Sequence, residues 1–302
     1  MEVAHGSELG LLCGASSDAH VVESFAPCIT LVAVADGFGE IGRGNASAPS
    51  ALATVREYVR RRHRAGSFER NVSPSGVRSM LLAALDHTNA RLYEQSGSHE
   101  DHVASGTSLT VVLVVGAHAF VGHVGDARAY LARLGRLEML TADDAMFSGA
   151  AVTSAKMPSF VPSHPRGLLW RSLGTQAKLE ASIAHVELLA GDRLLLCTDG
   201  AHRCIGDAEF REALGDDDPA GDIVARLLAT IRSRGNLDHA TVVVARDVLA
   251  ASPARDISFG ARARPLRVAL AIIAMLAVLC GGALAVRVGY IDRPVHSSLP
   301  HR

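Results

Sequence analysis

LVAVADGFG, at residues 31–39, is a short apolar run that ends abruptly in an acidic residue followed by glycine. A run of this length, bounded by a turn signal, predicts a β-strand that is buried on both faces. Asp36 would then leave the core where the strand ends, and Gly37 would allow the backbone to turn sharply or to approach an ion closely. We therefore expect this strand to place a carboxylate at one rim of the fold.

The same pattern recurs further along the chain. The apolar run LLLCT leads into Asp199, and the weaker run AFVGHVG leads into Asp126. Asp238 instead precedes an apolar run, and an antiparallel strand would return it to the same rim as the other acids. Carboxylates that gather without a cluster of His or Cys indicate a site for hard cations such as Mg²⁺ or Mn²⁺.

Composition and charge limit the functional classes. The chain has 302 residues, of which 48% are hydrophobic, so it can bury a large core. Its 30 basic residues nearly balance its 31 acidic residues, which gives no general attraction to nucleic acid. The basic cluster at residues 60–64 closes an amphipathic helix, and we interpret it as a solvated helix end, with contact to nucleic acid or acidic lipid as the alternative. Five scattered cysteines indicate reduced thiols in a cytosolic compartment.

The C-terminal part of the chain differs from the rest. Residues 268–286 contain no charged side chain, and this length is close to the ~20 residues that a helix needs to cross a bilayer. A buried core helix is the alternative, although such a helix usually keeps a polar stripe. No signal peptide is visible at the N-terminus. We expect a cytoplasmic domain at residues 1–248, a linker at 249–266, a single transmembrane helix at 267–287 and a short tail at 288–302.

Between these ends, the periodicity predicts one domain of mixed helices and strands. Two amphipathic helices follow the central strand, and they can cover one face of a sheet. Residues 107–140 read as an antiparallel meander, because alternating apolar strands are joined by short glycine-containing turns. Residues 142–166 lose this periodicity and are interpreted as an exposed flap. Two further strands are expected before Asp199, two more helices between Asp199 and Asp238, and a final strand after Asp238.

Six motifs together resemble the protein phosphatase 2C family of metal-dependent serine/threonine phosphatases, in its bacterial branch. The resemblance covers about residues 9–247, and the motifs occur in the family's order. They are VADGFG at 34–39, SGTSL at 105–109, VGDARAY at 124–130, RSLG at 171–174, GDRLLLCTDG at 191–200 and DHATVVV at 238–244.

The resemblance implies an α/β (α+β) fold in which two packed antiparallel β-sheets are flanked by helix pairs, an α-β-β-α sandwich. It also implies a site at one rim for two Mn²⁺ or Mg²⁺ ions, with a third ion held more weakly. Carried over onto this sequence, the family's ligands are Asp36 as the bridge between two ions, the carbonyl of Gly37, Asp199 and Asp238 in the same centre, Asp126 for the third ion, and Glu23 acting through water.

The function implied by the resemblance is hydrolysis of phosphoserine and phosphothreonine on proteins, with Asp36, Asp199 and Asp238 as the catalytic residues. Two ions would activate a water molecule for in-line attack, so no protein nucleophile is needed. The expected partners are phosphorylated proteins, among them membrane Ser/Thr kinases that the enzyme would oppose, and membrane lipid through the C-terminal helix. Nucleic acid is not an expected partner, and the catalytic domain is expected to be monomeric.

The sequence also departs from the family's pattern. Bacterial relatives usually carry a phosphate-binding Arg before an Asn-Glu-Asp triplet, whereas this chain has DAHVVE at residues 18–23. His20 is a poorer phosphate clamp than a guanidinium. Phe38 stands where animal members have a His that is thought to act as an acid, and it cannot take that role. The alternative reading is therefore a weakened pseudophosphatase that acts as a metal-binding or phosphoprotein-binding regulatory module.

Overall fold

The computed structural model describes residues 1–11, 17–39, 44–68, 72–96, 105–146 and 168–246. Within these ranges the chain forms twelve β-strands and five α-helices. The strands are β1 Glu2–Glu8, β2 Asp18–Ala26, β3 Ile29–Phe38, β4 Gly106–Val115, β5 His118–Val124, β6 Arg128–Arg133, β7 Arg136–Met139, β8 Ala145–Met146, β9 Leu168–Leu169, β10 Ser182–Glu187, β11 Arg193–Cys197 and β12 Ala240–Arg246. The helices are α1 Gly44–Arg64, α2 Pro74–Ser96, α3 Asp199–Cys204, α4 Asp207–Gly215 and α5 Ala220–Ser233.

Ten of the strands form two antiparallel five-stranded sheets. One sheet has the strand order β10-β5-β4-β3-β2, and the other has the order β1-β12-β11-β6-β7. The two short strands β8 and β9 pair with each other. Strand β3 lies inside its sheet between β2 and β4, and β11 lies inside the second sheet between β12 and β6. The two strands with the strongest apolar patterns are therefore interior strands.

The alternation of side chains along β3 explains why this strand is apolar throughout. Val32 and Val34 join a cluster that contains Leu196 of β11 and Val243 of β12, which is the core between the two sheets. Leu31 and its alternate neighbours join a second cluster with residues of α1 and α2 on the outer face. Since successive residues of a strand point to opposite faces, a strand covered on both sides must be apolar at every position.

The second sheet is covered on its outer face by the remaining helices. Phe210 of α4 and Ile223 of α5 pack with Leu195 of β11 in a third buried cluster. The layers are therefore helices, sheet, sheet and helices, and the α-β-β-α architecture predicted from the resemblance is confirmed. Four elements were not predicted from the sequence: strand β1, the two-residue strands β8 and β9, and helix α3, for which the sequence indicated only a turn.

Several sequence predictions lie outside the described residues. The linker, the transmembrane helix at residues 267–287 and the tail belong to this group, as does most of the flap. Among the helices that the structure describes, none is long and apolar enough to cross a membrane. The membrane span and the domain boundaries stay predictions.

Candidate metal centre

Asp36 lies at the end of β3, where both neighbouring strands supply polar groups. It pairs in register with Asp18 of β2 on one side and with Ser108 of β4 on the other. Its side chain is buried, and Ser17 donates a hydrogen bond to its Oδ1 at 3.3 Å. The Thr107 hydroxyl donates to the Asp36 carbonyl oxygen at 2.8 Å. The strand end is therefore held rigidly while the carboxylate stays at the rim.

Asp18 lies opposite Asp36 on the neighbouring strand, and its side chain connects the first sheet to the second. The Thr198 hydroxyl, at the end of β11, donates to its Oδ2 at 2.6 Å, and its Oδ1 is shielded from solvent. Burial of the carboxyl, which is the largest effect, and the charge of Asp199 together raise its pKa to about 7, against the opposing effect of its hydrogen bonds. An acid with this pKa and a second acid nearby form a site that a cation would stabilise.

Asp199 is the first residue of the short helix α3. Thr198 precedes it in the N-cap position but does not cap the helix, because its hydroxyl is directed to Asp18. The Asp199 side chain is only 2% exposed. Its Oδ2 lies 3.0 Å from Nη2 of Arg203, while its buried Oδ1 receives no hydrogen bond from the residues that the structure describes. A buried carboxylate oxygen without a hydrogen bond lowers the stability of the folded state. Such an oxygen is typical of a site that binds a ligand.

The backbone segments that follow Asp199 and Asp238 come into direct contact. A Cβ placed on Gly200 would lie 1.9 Å from the carbonyl oxygen of His239, so only glycine allows this approach. The Asp238 carboxylate accepts a hydrogen bond from the His239 N–H at 2.9 Å. The antiparallel pairing of β11 with β12 brings Asp238 back to the rim, as the sequence predicted.

Asp126 follows Gly125, whose φ of +105° favours glycine. The Nε2–H of His202 donates to the Asp126 carbonyl oxygen at 2.9 Å. The Asp126 carboxylate lies 3.7 Å from Nη2 of Arg203. We refer to the five carboxylates of this region as the rim acids: Asp18, Asp36, Asp126, Asp199 and Asp238.

Glu23 is not brought to the rim acids. It pairs in register with Leu31, five residues before Asp36. Nε and Nη2 of Arg60, on α1, donate hydrogen bonds to the Glu23 carboxylate. The residue that faces Asp36 is Asp18, at the beginning of the same strand. The role that the resemblance assigned to Glu23 is therefore better matched by Asp18, which sequence reasoning did not propose as a ligand.

His20 is also unsuited to replace the missing phosphate-binding Arg. Its ring lies 4.0 Å from the ring of His5, measured between centroids. Burial lowers the pKa of His20, and the charge of His5 lowers it further, so the imidazole is neutral at pH 7. A neutral ring supplies no positive charge for a phosphate.

The donor chemistry of the rim acids fits hard divalent cations. All of the side-chain donors are carboxylate oxygens, which suit Mg²⁺ and Mn²⁺ rather than Zn²⁺. The buried Oδ1 of Asp199 provides one oxygen without a hydrogen bond. In the described ranges, however, no three His, Cys, Asp or Glu side chains converge into a closed ligand group. The acids therefore offer a site that would tighten around an ion rather than a preformed cage.

The buried thiol near these acids offers no alternative nucleophile. Cys197, the last residue of β11, is fully buried. Burial raises the pKa of its thiol, which is therefore protonated at neutral pH. Chemistry at this rim would have to use water or another oxygen nucleophile.

Comparison with known proteins supports the assignment of the fold. The family model for protein phosphatase 2C matches residues 14–245. The serine/threonine protein phosphatase PstP of Mycobacterium tuberculosis is 31% identical over 216 residues, which cover 71% of this chain and 40% of PstP. The protein phosphatase PhpP of Streptococcus pneumoniae is 26% identical over 216 residues, covering 71% of this chain and 85% of PhpP.

One of the similar solved structures contains metal ions. The catalytic domain of PstP in complex with two manganese ions superimposes with a TM-score of 0.61 at 28% identity, covering 80% of this chain and 96% of that domain. The chain thus spans about two fifths of the length of PstP as a whole.

Proposed function

Because the chain belongs to the protein phosphatase 2C family, we propose that it hydrolyses phosphoserine and phosphothreonine on proteins, with Mn²⁺ or Mg²⁺ held by the rim acids. The observation that carries the proposal is the state of Asp199. Its carboxylate is buried beside other acids, and one of its oxygens accepts no hydrogen bond within the described part of the chain. Most buried carboxylate oxygens in proteins accept a hydrogen bond, and an oxygen that accepts none is available to coordinate a metal ion.

The roles of the residues follow from their positions. Asp36 and Asp18 would hold ions from the end of the first sheet, Asp199 and Asp238 would hold them from the second, and the Gly37 carbonyl would add an oxygen. Bound divalent ions lower the pKa of a coordinated water and neutralise phosphoryl oxygens, so that the water can attack phosphorus in line. The hydrogen bonds from Ser17 and Thr198 would fix the carboxylates in position for this task.

The test is phosphate release from a phosphothreonine peptide by the full chain, measured with Mn²⁺, with Mg²⁺ and with chelator. We expect metal-dependent release that Asp199→Asn reduces by at least about 100-fold, because the variant removes a charged ligand from the site. Asp222→Asn is the matched control, since Asp222 is an exposed acid on α5. Unchanged turnover in Asp199→Asn would overturn the proposed site.

A pseudophosphatase is the second candidate. It is supported by the missing phosphate-binding Arg, by the neutral His20 and by the lack of three converging ligands among the described residues. Calorimetry separates the two functions. Binding of Mn²⁺ without phosphate release, even when His20→Arg supplies a guanidinium, would favour a regulatory module, whereas a gain of activity in His20→Arg would indicate a weakened enzyme.

We further propose that residues 267–287 tether the domain to a membrane from its cytoplasmic side, so that its substrates include membrane-associated Ser/Thr kinases. The support is the uncharged run at residues 268–286. Recovery of the full chain in the membrane fraction after an alkaline wash is the expected result. Release by the wash, or a phosphoproteome in which only soluble proteins change, would contradict the tether or the substrate assignment respectively.

A further inference from the structure

Arg203 lies between two of the rim acids that come from separate parts of the fold. Its Nη2 is 3.0 Å from Oδ2 of Asp199 and 3.7 Å from Oδ2 of Asp126. Both carboxylates are almost fully buried, whereas the Arg203 side chain is 37% exposed. A single guanidinium therefore neutralises two acids from the solvent side of the site.

Helix α3 and its contacts hold the Arg203 side chain in this position. Arg203 is four residues after Asp199, so the helix places the two side chains on the same face. The neighbouring His202 binds the Asp126 backbone at 2.9 Å, which holds the helix against the turn that carries Asp126. The close contact between Gly200 and the His239 carbonyl fixes the first turn of the helix. The guanidinium is thus held in place by the same contacts that assemble the rim.

We propose that Arg203 is a built-in cation that takes the place of a divalent ion between Asp126 and Asp199. This inference rests on the proposed metal-dependent site and changes its ion count. The guanidinium neutralises the outer side of the site, where the sequence resemblance implied a third ion. Ions would bind on the inner side, toward Asp18, Asp36 and the Asp199 oxygen that accepts no hydrogen bond among the described residues.

The charge balance of the site favours this assignment. A divalent ion between Asp126 and Asp199 would have to displace a guanidinium that already contacts one buried carboxylate and lies near the other. If the guanidinium stayed nearby, the two cations would repel each other at short range in a partly desolvated site. Removing the positive charge should therefore open this position to an ion.

The test is calorimetric titration of Mn²⁺ into the full chain in mild detergent, comparing the wild type with Arg203→Gln. We expect Arg203→Gln to gain a binding event, or to bind its weakest ion about 10- to 100-fold more tightly, because a competing charge is lost. Arg203→Lys keeps the charge and should retain the ion count of the wild type. The control is Arg226→Gln, since Arg226 also contacts two carboxylates, at 3.1 and 2.7 Å, and is 43% exposed, but lies on α5.

The outcomes distinguish this proposal from the proposed function. Equal Mn²⁺ binding by the wild type and Arg203→Gln would overturn the built-in cation and leave the phosphatase assignment standing. An increase in KM for the phosphopeptide with unchanged Mn²⁺ binding would also overturn it, because Arg203 would then be a phosphate-binding residue. Absence of Mn²⁺ binding in both proteins would overturn both proposals.

A second variant keeps the test decisive if Arg203→Gln does not fold. If the guanidinium replaces an ion, Asp126→Asn in the wild-type background should leave the number of bound Mn²⁺ ions unchanged. If an ion occupies this position instead, Asp126→Asn should lose one bound ion, and that result would contradict the proposal.

Discussion

Two groups of partly or fully buried acids lie close together in this fold, and their carboxylates have very different hydrogen-bond partners. The anchor acids, Asp143 and Asp144, are held by arginines. Arg128 donates to both oxygens of Asp143, and Arg171 donates to Oδ1 of Asp144, while the Gly125 N–H donates to its Oδ2. Among the rim acids, by contrast, Asp199 keeps a buried oxygen without a hydrogen bond in the described part of the chain, and burial raises the pKa of Asp18.

The difference shows how a fold can distinguish structural from functional carboxylates. The anchor acids gain charged and neutral hydrogen bonds that offset their desolvation, so they contribute to stability. Asp199 has one buried oxygen without a hydrogen bond among the described residues, and burial disfavours the charged form of Asp18, so these two acids cost stability until a cation binds. The anchor acids also support the rim, because Asp144 binds the glycine that precedes Asp126. The hydrogen bonds of the anchor acids therefore also hold part of the rim in place.

Removing an anchor acid should have the largest effect on folding. Asp144→Ala leaves the Arg171 guanidinium and the Gly125 N–H without their acceptor, and loss of a buried ion pair costs about 3–5 kcal/mol. Urea unfolding in chelator measures this loss. Asp199→Asn is the comparison variant, and we expect it to change the free energy of unfolding little or to increase it. Equal destabilisation by the two substitutions would contradict the distinction between the groups.

The contact that assembles the rim should be the next most sensitive feature. Gly200→Ala places a Cβ against the His239 carbonyl, and overpacking of this kind costs about 1–3 kcal/mol. Gly221→Ala is the matched control, because Gly221 lies on α5 with open space around its Cα. We expect the control to be neutral or stabilised by less than about 1 kcal/mol. If both variants unfold at the same urea concentration, the close approach between α3 and β12 is not a constraint.

The raised pKa of Asp18 predicts a pH dependence of stability in the absence of ions. The unfolded chain releases this proton near pH 4, whereas the folded chain holds it until about pH 7. Over this interval the unfolded state loses a proton that the folded state keeps, so the contribution of Asp18 to stability falls as pH rises and is constant above pH 7.

Asp18→Asn should remove this dependence, because Asn keeps an acceptor for the Thr198 hydroxyl but cannot ionise. Relative to the wild type, the variant should gain on the order of 4 kcal/mol between pH 4 and pH 7, because each pKa unit corresponds to about 1.4 kcal/mol. Urea unfolding at several pH values in chelator measures the difference. Parallel pH profiles for the two proteins would show that Asp18 ionises normally.

The sequence alone predicted the fold and most of the rim. Apolar runs that end in Asp-Gly identified Asp36 and Asp199 because strand burial and turn chemistry are local signals. The expected antiparallel return of a strand also placed Asp238 at this rim, and the pairing of β11 with β12 is antiparallel. Strand β1 was missed because its residues are mostly polar or small, and its place at the sheet edge is decided by pairing with β12.

Other features could not be obtained from local patterns. The choice between Asp18 and Glu23 depends on the register of β2 against β3, and a shift of register changes which residue faces Asp36. Arg203 could have been noticed from its spacing of four residues after Asp199, but only if the turn had been recognised as a helix. Its contact with Asp126 joins distant segments and carries no sequence signal.

Replacement of Glu23 should have the smallest effect and tests the register directly. Its pair with Arg60 is half-buried at the surface of α1, so Glu23→Gln should cost less than about 1 kcal/mol and should leave Mn²⁺ affinity within about twofold of the wild type. Asp18→Asn removes a charge beside Asp36, and we expect it to weaken Mn²⁺ binding by at least about tenfold. Calorimetry on both variants compares them. A loss of Mn²⁺ affinity in Glu23→Gln that equals the loss in Asp18→Asn would return Glu23 to the metal centre, because an ion pair with a helix cannot by itself transmit such an effect to Asp36.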